Sequence, residues 1–300
     1  MTITTSNELT TQERRGLAAI STDAGHILIV AADQRNSMKA VMQDAPDGTS
    51  AITTEELASA KADLVTFLAN KGPAILLDPE VALPAIPNSG VLSRDTALVV
   101  GLDSSGFETV DGLKYTTFVP GLTPRRAREL GADVIKMLWY TRPDKQGLDD
   151  RVADEIRSLT EAAEKEGILL IVELLTYQLE GESDEEYKAA FPQLVADGAA
   201  LAVACGTKLL KIQYPGSSEG AELVNRAAAG VPWAVLSAGV DHETFIVQVR
   251  DAMAHGAAGA MAGRSLWKDA LSVDPAKRQD LLTTKALPRL LELRAAVDGE

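Results

Sequence analysis

The chain has 300 residues, 46% of them hydrophobic but only 4% aromatic, and a formal net charge of −14. So negative a surface repels nucleic acid and anionic membrane, no run approaches the ~20 apolar residues of a membrane span, and the polar start MTITTSNELTTQERRG has no apolar core for a signal peptide. One cysteine, Cys205, excludes an intrachain disulfide and fits a reducing compartment, so the chain reads as cytoplasmic.

A first helix is predicted over about 7–20, followed by the strand HILIVAAD (26–33). A helix over 52–70 opens with Thr-Thr-Glu-Glu, a capped start, and leads to the second strand, AILLD (74–78). Residues 79–96, with Pro79, Pro84 and Pro87, form a long connection to the third strand, ALVVGLD (97–103). A second long connection, 103–123, is rich in Gly, Thr and Pro; long connections of this kind are often functional. A helix over 124–131 precedes DVIKMLWY (133–140), and one over 148–166, ending at Gly167, precedes ILLIVELL (168–175). Helix 184–203, TKLLKIQY (207–214), helix 218–229, WAVLSAG (233–239), helix 242–256 and AGAMAGR (258–264) follow. An amphipathic helix over about 275–297 ends the chain, and it and the first helix are expected to cover an end of the structure.

Strand and helix patterns that alternate this way are βαβ units, and eight strands close a barrel. The expectation is an α/β fold: a single (β/α)₈ TIM-barrel domain over 1–300 with extra terminal helices. A core of Val, Ile, Leu and Ala, with few aromatics, suits parallel strands buried on both faces.

Such strands should be almost wholly apolar, so the ionisable residues near their C-terminal ends are informative, because active sites of this fold lie there. By alternation, Asp33 shares a face with Ile29 and Ala31, Lys136 with Val134, Leu138 and Tyr140, Glu173 with Ile171 and Leu175, and Lys211 with Thr207, Leu209 and Gln213. If those faces point inward, two carboxylates and two amines converge on one cavity. The competing reading is a buried ion-pair network without chemistry, a costly way to hold a barrel. Lys208 lies on the opposite face from Lys211, near the strand's start, and reads as structural.

A second ammonium or burial lowers a lysine pKa and frees a nucleophilic lone pair, so imine chemistry suits this set. On these grounds either Lys136 or Lys211 can be the nucleophile. Ser237, Ala238 and Gly239 end strand seven, and Gly263 and Arg264 end strand eight before a helix start. Those loops are the usual phosphate site of this fold, with glycine admitting the anion closely and arginine clamping it. His26, His242 and His255 have no metal-ligand spacing, and no metal is expected.

From about residue 27 to 268 the chain resembles the tagatose 1,6-bisphosphate aldolases and their relatives, the sulfofructose 1-phosphate aldolases. The resemblance rests on the order and spacing of ADQRNSMK, ILLDPEVALPAI, Gly-Phe-Glu-Thr at 106–109, GADVIKMLWY, VELLTY, LLKIQYP, LSAGV and AGRSLW. It implies a class I aldolase without cofactor, in which Lys211 forms the covalent imine. The family's Lys-Val-Glu-x-Pro stretch stands here as Lys211-Ile212-Gln213-Tyr214-Pro215, with Gln213 where a glutamate is usual. Lys136 then matches the second lysine, Glu173 the acid/base glutamate, Asp33 and Gln34 the strand-one pair, and Ser237, Gly239, Gly263 and Arg264 the phosphate-binding residues.

The expected partner is a small phosphorylated sugar, most simply tagatose 1,6-bisphosphate, cleaved to dihydroxyacetone phosphate and a three-carbon aldehyde. Arg35 and Arg142 are candidates for the distal anion, phosphate or sulfonate. A barrel that senses a sugar phosphate without turning it over is the reading from another class. A homo-oligomer is compatible with the composition, but the sequence names no interface.

Overall fold

The computed structural model describes residues 7–42 and 52–300; residues 1–6 of the polar start lie outside them. Eight parallel strands close into a barrel, as the alternation predicts. They are β1 (Ile27–Ala32), β2 (Ala74–Leu77), β3 (Ala97–Gly101), β6 (Val134–Thr141), β7 (Leu169–Thr176), β8 (Leu210–Gln213), β9 (Trp233–Leu236) and β10 (Gly259–Ala262). Neighbours pair in chain order, and β1 closes the ring by pairing with both β2 and β10. The two strands left out, β4 (Asp103–Val110) and β5 (Leu113–Phe118), make an antiparallel hairpin. The long connection expected at 103–123 is thus mostly regular structure, turned at Asp111-Gly112, and both of those residues take positive φ.

The ring helices begin where short polar side chains satisfy free backbone N–H groups. Capping boxes at Thr53/Glu56 and Ser183/Glu186 open α3 (Thr54–Phe67) and α7 (Asp184–Ala204), and Asp150 caps α6 (Arg151–Glu166). Further round lie α5 (Pro124–Glu129), α8 (Ser218–Ala228), α9 (His242–Ala254) and the short α10 (Arg264–Trp267), while the short α2 (Asn36–Val41) lies between β1 and α3 and α4 (Ala85–Ser89) between β2 and β3. Two apolar layers result. One lies between strands and helices and includes Trp139, Trp233 and Trp267; the other fills the barrel with Ile27, Ile29, Ala31, Val99, Val134, Ile171, Leu209 and Met261. The inner set has the parity assigned to the inward faces.

The terminal helices differ. α1 (Thr11–Ala19) covers the barrel's N-terminal end, where Leu17 and Ile20 join the inner layer. The C-terminal helix does not cover an end. It divides into α11 (Pro275–Leu281), one π turn and α12 (Leu287–Asp298), with Pro288 in the first turn of α12. α12 packs on α9 and β1, with Leu290, Leu293 and Val297 in the outer layer. Its apolar stripe is spent on the ring.

Candidate active site

At the C-terminal mouth the inward residues meet as alternation requires. Glu173 on β7 is the register partner of Lys211 on β8, and Lys136 on β6 is level with Gly101 on β3. Lys136 Nζ lies 2.8 Å from Asp33 Oδ2, 2.9 Å from Asp103 Oδ1 and 2.9 Å from Glu173 Oε2. Lys211 Nζ donates to the same Glu173 Oε2 at 2.9 Å. One carboxylate oxygen therefore bridges the two ammonium groups. Both lysines are buried, at 1% and 4% exposure.

The charges set one another. Burial alone would push the carboxyls of Asp33 and Glu173 up, but Lys136 and Lys211 outweigh it and hold both below their ordinary range. Asp103 goes the other way: burial pushes it up, and its neighbours Asp33 and Glu173 add to that against the pull of Lys136. Burial would lower the Lys136 ammonium, yet three carboxylates together hold it well above the usual lysine range. Lys136 is thus a fixed cation, and the site contains more carboxylates than amines.

Two cavities meet at this cluster, sharing Gln34, Glu173, Leu175, Lys211 and Arg264. The smaller, about 220 Å³, runs under the β9 and β10 loops, past Ser237, Ala238, Gly239 and Gly263. The larger, about 370 Å³, runs over β1, β3 and β6, past Asp33, Arg35, Asn36, Ser37, Asp103, Lys136 and Tyr140, to Ser104–Gly106 of the hairpin. A wider groove of about 550 Å³ lies outside the barrel between α5 and α6 and holds none of these strand residues.

Backbone geometry shapes the smaller lobe. Gly239 has φ +87°, and a Cβ there would sit 3.0 Å from the guanidinium carbon of Arg264. A Cβ on Gly263 would meet the Ala31 carbonyl oxygen at 3.1 Å. The two glycines therefore let Arg264 and the start of α10 close over the loop. Arg264 Nη2 reaches Ala238 O at 3.4 Å, and Lys268 Nζ donates to Gly239 O at 3.0 Å, so two cations converge there. Trp267 Nε1 donates to Ala31 O at 2.9 Å and pins α10 to the end of β1.

Comparison with known proteins gives the family and the fold. The model of the DeoC/LacD family aldolases matches residues 27–269. The chain belongs to that family. It is therefore an aldolase, a carbon–carbon lyase. It is 28% identical to the tagatose 1,6-diphosphate aldolase of Lactococcus lactis subsp. lactis, over 89% of this chain and 87% of that one. It is 25% identical to tagatose 1,6-diphosphate aldolase 2 of Streptococcus pyogenes serotype M1, over 99% and 97%. In fold it is similar to an archaeal fructose 1,6-bisphosphate aldolase, at TM-score 0.65 and 20% identity, over 95% of this chain and 99% of that one. The fructose-bisphosphate aldolase of Slackia heliotrinireducens gives TM-score 0.63 at 17% identity, over 99% and 94%.

In this DeoC/LacD aldolase the expected site residues meet, with one exception. Arg142 stands apart from both lobes. All five of its N–H groups are taken: by Asp144 (2.9 and 3.0 Å), by Glu182 (2.7 and 3.1 Å) and by Tyr177 O (3.0 Å). It is 3% exposed and has no donor left for a ligand, so its place as a distal anion clamp is withdrawn. Arg35 does line the larger lobe, paired with Glu80 and donating to Asp103 O at 3.0 Å. Gln213 accepts from Thr176 N at 3.0 Å, which ties β8 to the end of β7. A glutamate could make the same bond, so nothing here explains the amide.

Asp103 is the residue that the alternation reading passed over. It has the parity of Val99 and Gly101, and the rule used for Asp33 finds it once applied to strand three. Lys61, fully buried on α3, had no such signal. Its ammonium donates to Ala32 O (2.6 Å), to Gln34 O (2.9 Å) and to Asp78, and so holds the segment carrying Asp33 and Gln34 from behind. Among the described residues no three His, Cys, Asp or Glu side chains are grouped to hold a metal ion, and no helix is long and apolar enough to cross a membrane.

Proposed function

We propose that the chain is a class I aldolase in which Lys211 forms an imine with the C2 carbonyl of a ketose 1-phosphate. The observation that carries this is the contrast between the two lysines at the junction of the lobes. Lys136 is held charged by three carboxylates, whereas Lys211 meets one and lies in both lobes. An amine that must attack needs a free lone pair and room for its electrophile.

The lobes then divide the substrate. The 1-phosphate enters the smaller one, against Ser237, Ala238, Gly239, Gly263, Arg264 and Gln34. Carbons beyond C2 extend into the larger one, past Asp33 and Glu173 toward Arg35. Lys211 Nζ adds to C2, water leaves, and the protonated imine becomes an electron sink. Glu173 takes the C4 hydroxyl proton, the C3–C4 bond breaks, and its electron pair moves into the enamine. A three-carbon aldehyde departs, C3 is protonated, and water releases dihydroxyacetone phosphate from Lys211. Asp33 orients hydroxyls and Lys136 holds the carboxylates in register. General acid–base help of this kind contributes ~10²–10⁴ in rate.

The relatives' substrates make tagatose 1,6-bisphosphate the first to test. A sulfofructose 1-phosphate places sulfonate where the distal phosphate would lie, and Arg35 suits either anion. Borohydride reduction in the presence of dihydroxyacetone phosphate should leave a stable adduct on Lys211, located by peptide mass. No adduct at saturating ligand would favour a sensing barrel and sink the proposal.

A further inference from the structure

The ILLDPEVALPAI segment ends β2 with two acids that the chemistry above does not use. Asp78 is 1% exposed, pairs with Lys61, and accepts the Val81 N–H at 2.8 Å. The turn that carries Glu80 is therefore pinned at its backbone. The Glu80 side chain is not: it is 46% exposed, and its carboxylate reaches over to Arg35, which is itself only 11% exposed. Arg35 is fixed from the other side by Asp103 O, and its buried Nε has no partner. Asn36, Ser37, Ser104 and Ser105 line the lobe around it, all uncharged.

Among the described residues the end of the larger lobe thus has one cation, Arg35, and an acid that can turn to solvent without moving the chain is already paired with it. We infer that Glu80 is a positioning residue that acts through Arg35 and sets the enzyme's preference between charged and uncharged substrate tails. With Glu80 in place the pair is close to neutral and accepts a hydroxyl tail. An anionic tail, phosphate or sulfonate, must displace the carboxylate to reach the guanidinium. Glu80 therefore narrows the advantage that Arg35 alone would give a bisphosphate. The inference rests on the substrate placement proposed above.

The test compares kcat/KM for tagatose 1,6-bisphosphate and tagatose 1-phosphate in the wild type and in Glu80→Gln, at two ionic strengths. A partly exposed ion pair of this kind makes a difference of up to about fivefold. The bisphosphate:monophosphate ratio should rise by about that factor in Glu80→Gln, and the rise should shrink at high salt as the charges are screened. If Glu80 only tethers Arg35, the ratio falls or stays put, and the inference is overturned. The adduct on Lys211 is scored in both proteins. Its absence from the wild type would strike the aldolase mechanism, whereas a normal adduct with an unmoved ratio would strike Glu80 alone.

Discussion

β8 and its approach carry two buried lysines three residues apart, and they meet opposite fates. Lys208, below the strand, is 4% exposed, and its ammonium is enclosed by Glu13 (2.9 and 3.1 Å) and Glu164 (3.1 Å) under α1. Lys211, above, is equally buried but shares one carboxylate with Lys136 and faces two cavities. Burial and an ion pair are common to both. What separates them is space for a ligand. A buried charge cluster is evidence of chemistry only when it opens onto a cavity.

The largest expected effect tests that contrast directly. Lys211→Ala should cut turnover by at least about 10⁴-fold and abolish the borohydride adduct while the protein stays folded. Lys208→Met should do the reverse, destabilising the fold by about 3–5 kcal/mol because two carboxylates lose their buried partner, with kcat per folded molecule unchanged. Turnover lost in a folded Lys208→Met protein would break the comparison.

Next comes Glu173→Gln. It removes the base yet keeps an acceptor near Lys211, so kcat should fall by ~10²–10⁴. The adduct with dihydroxyacetone phosphate should still form, since its trapping needs no C3–C4 cleavage. A variant that neither turns over nor traps would mean that Glu173 serves imine formation first.

Arg264→Ala should raise KM for ketose 1-phosphates by about tenfold, as expected for a charge-assisted bond, with a smaller change in kcat. An unchanged KM would move the phosphate away from the β9–β10 loops.

The smallest effect is a pH dependence of stability, read as the urea midpoint of Asp103→Asn against the wild type. Asp33 and Glu173 titrate lower in the fold than in the unfolded chain. Their pairing is therefore fully stabilising above about pH 4–5 and is lost as pH falls through their folded values. Asp103 titrates higher in the fold, so its contribution is present below its unfolded value and is lost as pH rises through the folded one. The asparagine escapes that loss. Its midpoint relative to the wild type should improve as pH rises above about 4, the unfolded carboxyl value. A difference that worsens with pH would mean that the charged Asp103–Lys136 bond outweighs the repulsion.

Much of this site is legible in the sequence. The number and order of the barrel strands follow from short apolar runs between capped helices, and the inward faces of β1, β6, β7 and β8 follow from parity, because Cβ direction alternates locally along any strand. Asp33, Lys136, Glu173 and Lys211 could be set at one mouth because each lies near the C-terminal end of its strand. The hairpin at 103–118 was less legible. Its strand β4 is half-buried to exposed and lacks the apolar run that marks the others. The two arginines offered for the distal anion looked alike in sequence. Arg142 is spent on Asp144 and Glu182, the second of which arrives from another loop.

By itself the sequence determined periodicity: which segments are strands, which face each residue takes, and which end of the barrel holds the charges. Only the tertiary structure decided partnership. That Lys136 has three carboxylates and Lys211 one, that Asp103 completes the set, and that Glu80 pairs with Arg35 all depend on ring closure and register. The reason is physical. A side chain's direction is set by its own backbone, but its charge state and free space are set by whatever distant segments the closed barrel brings within about 3 Å, where the Coulomb terms are large.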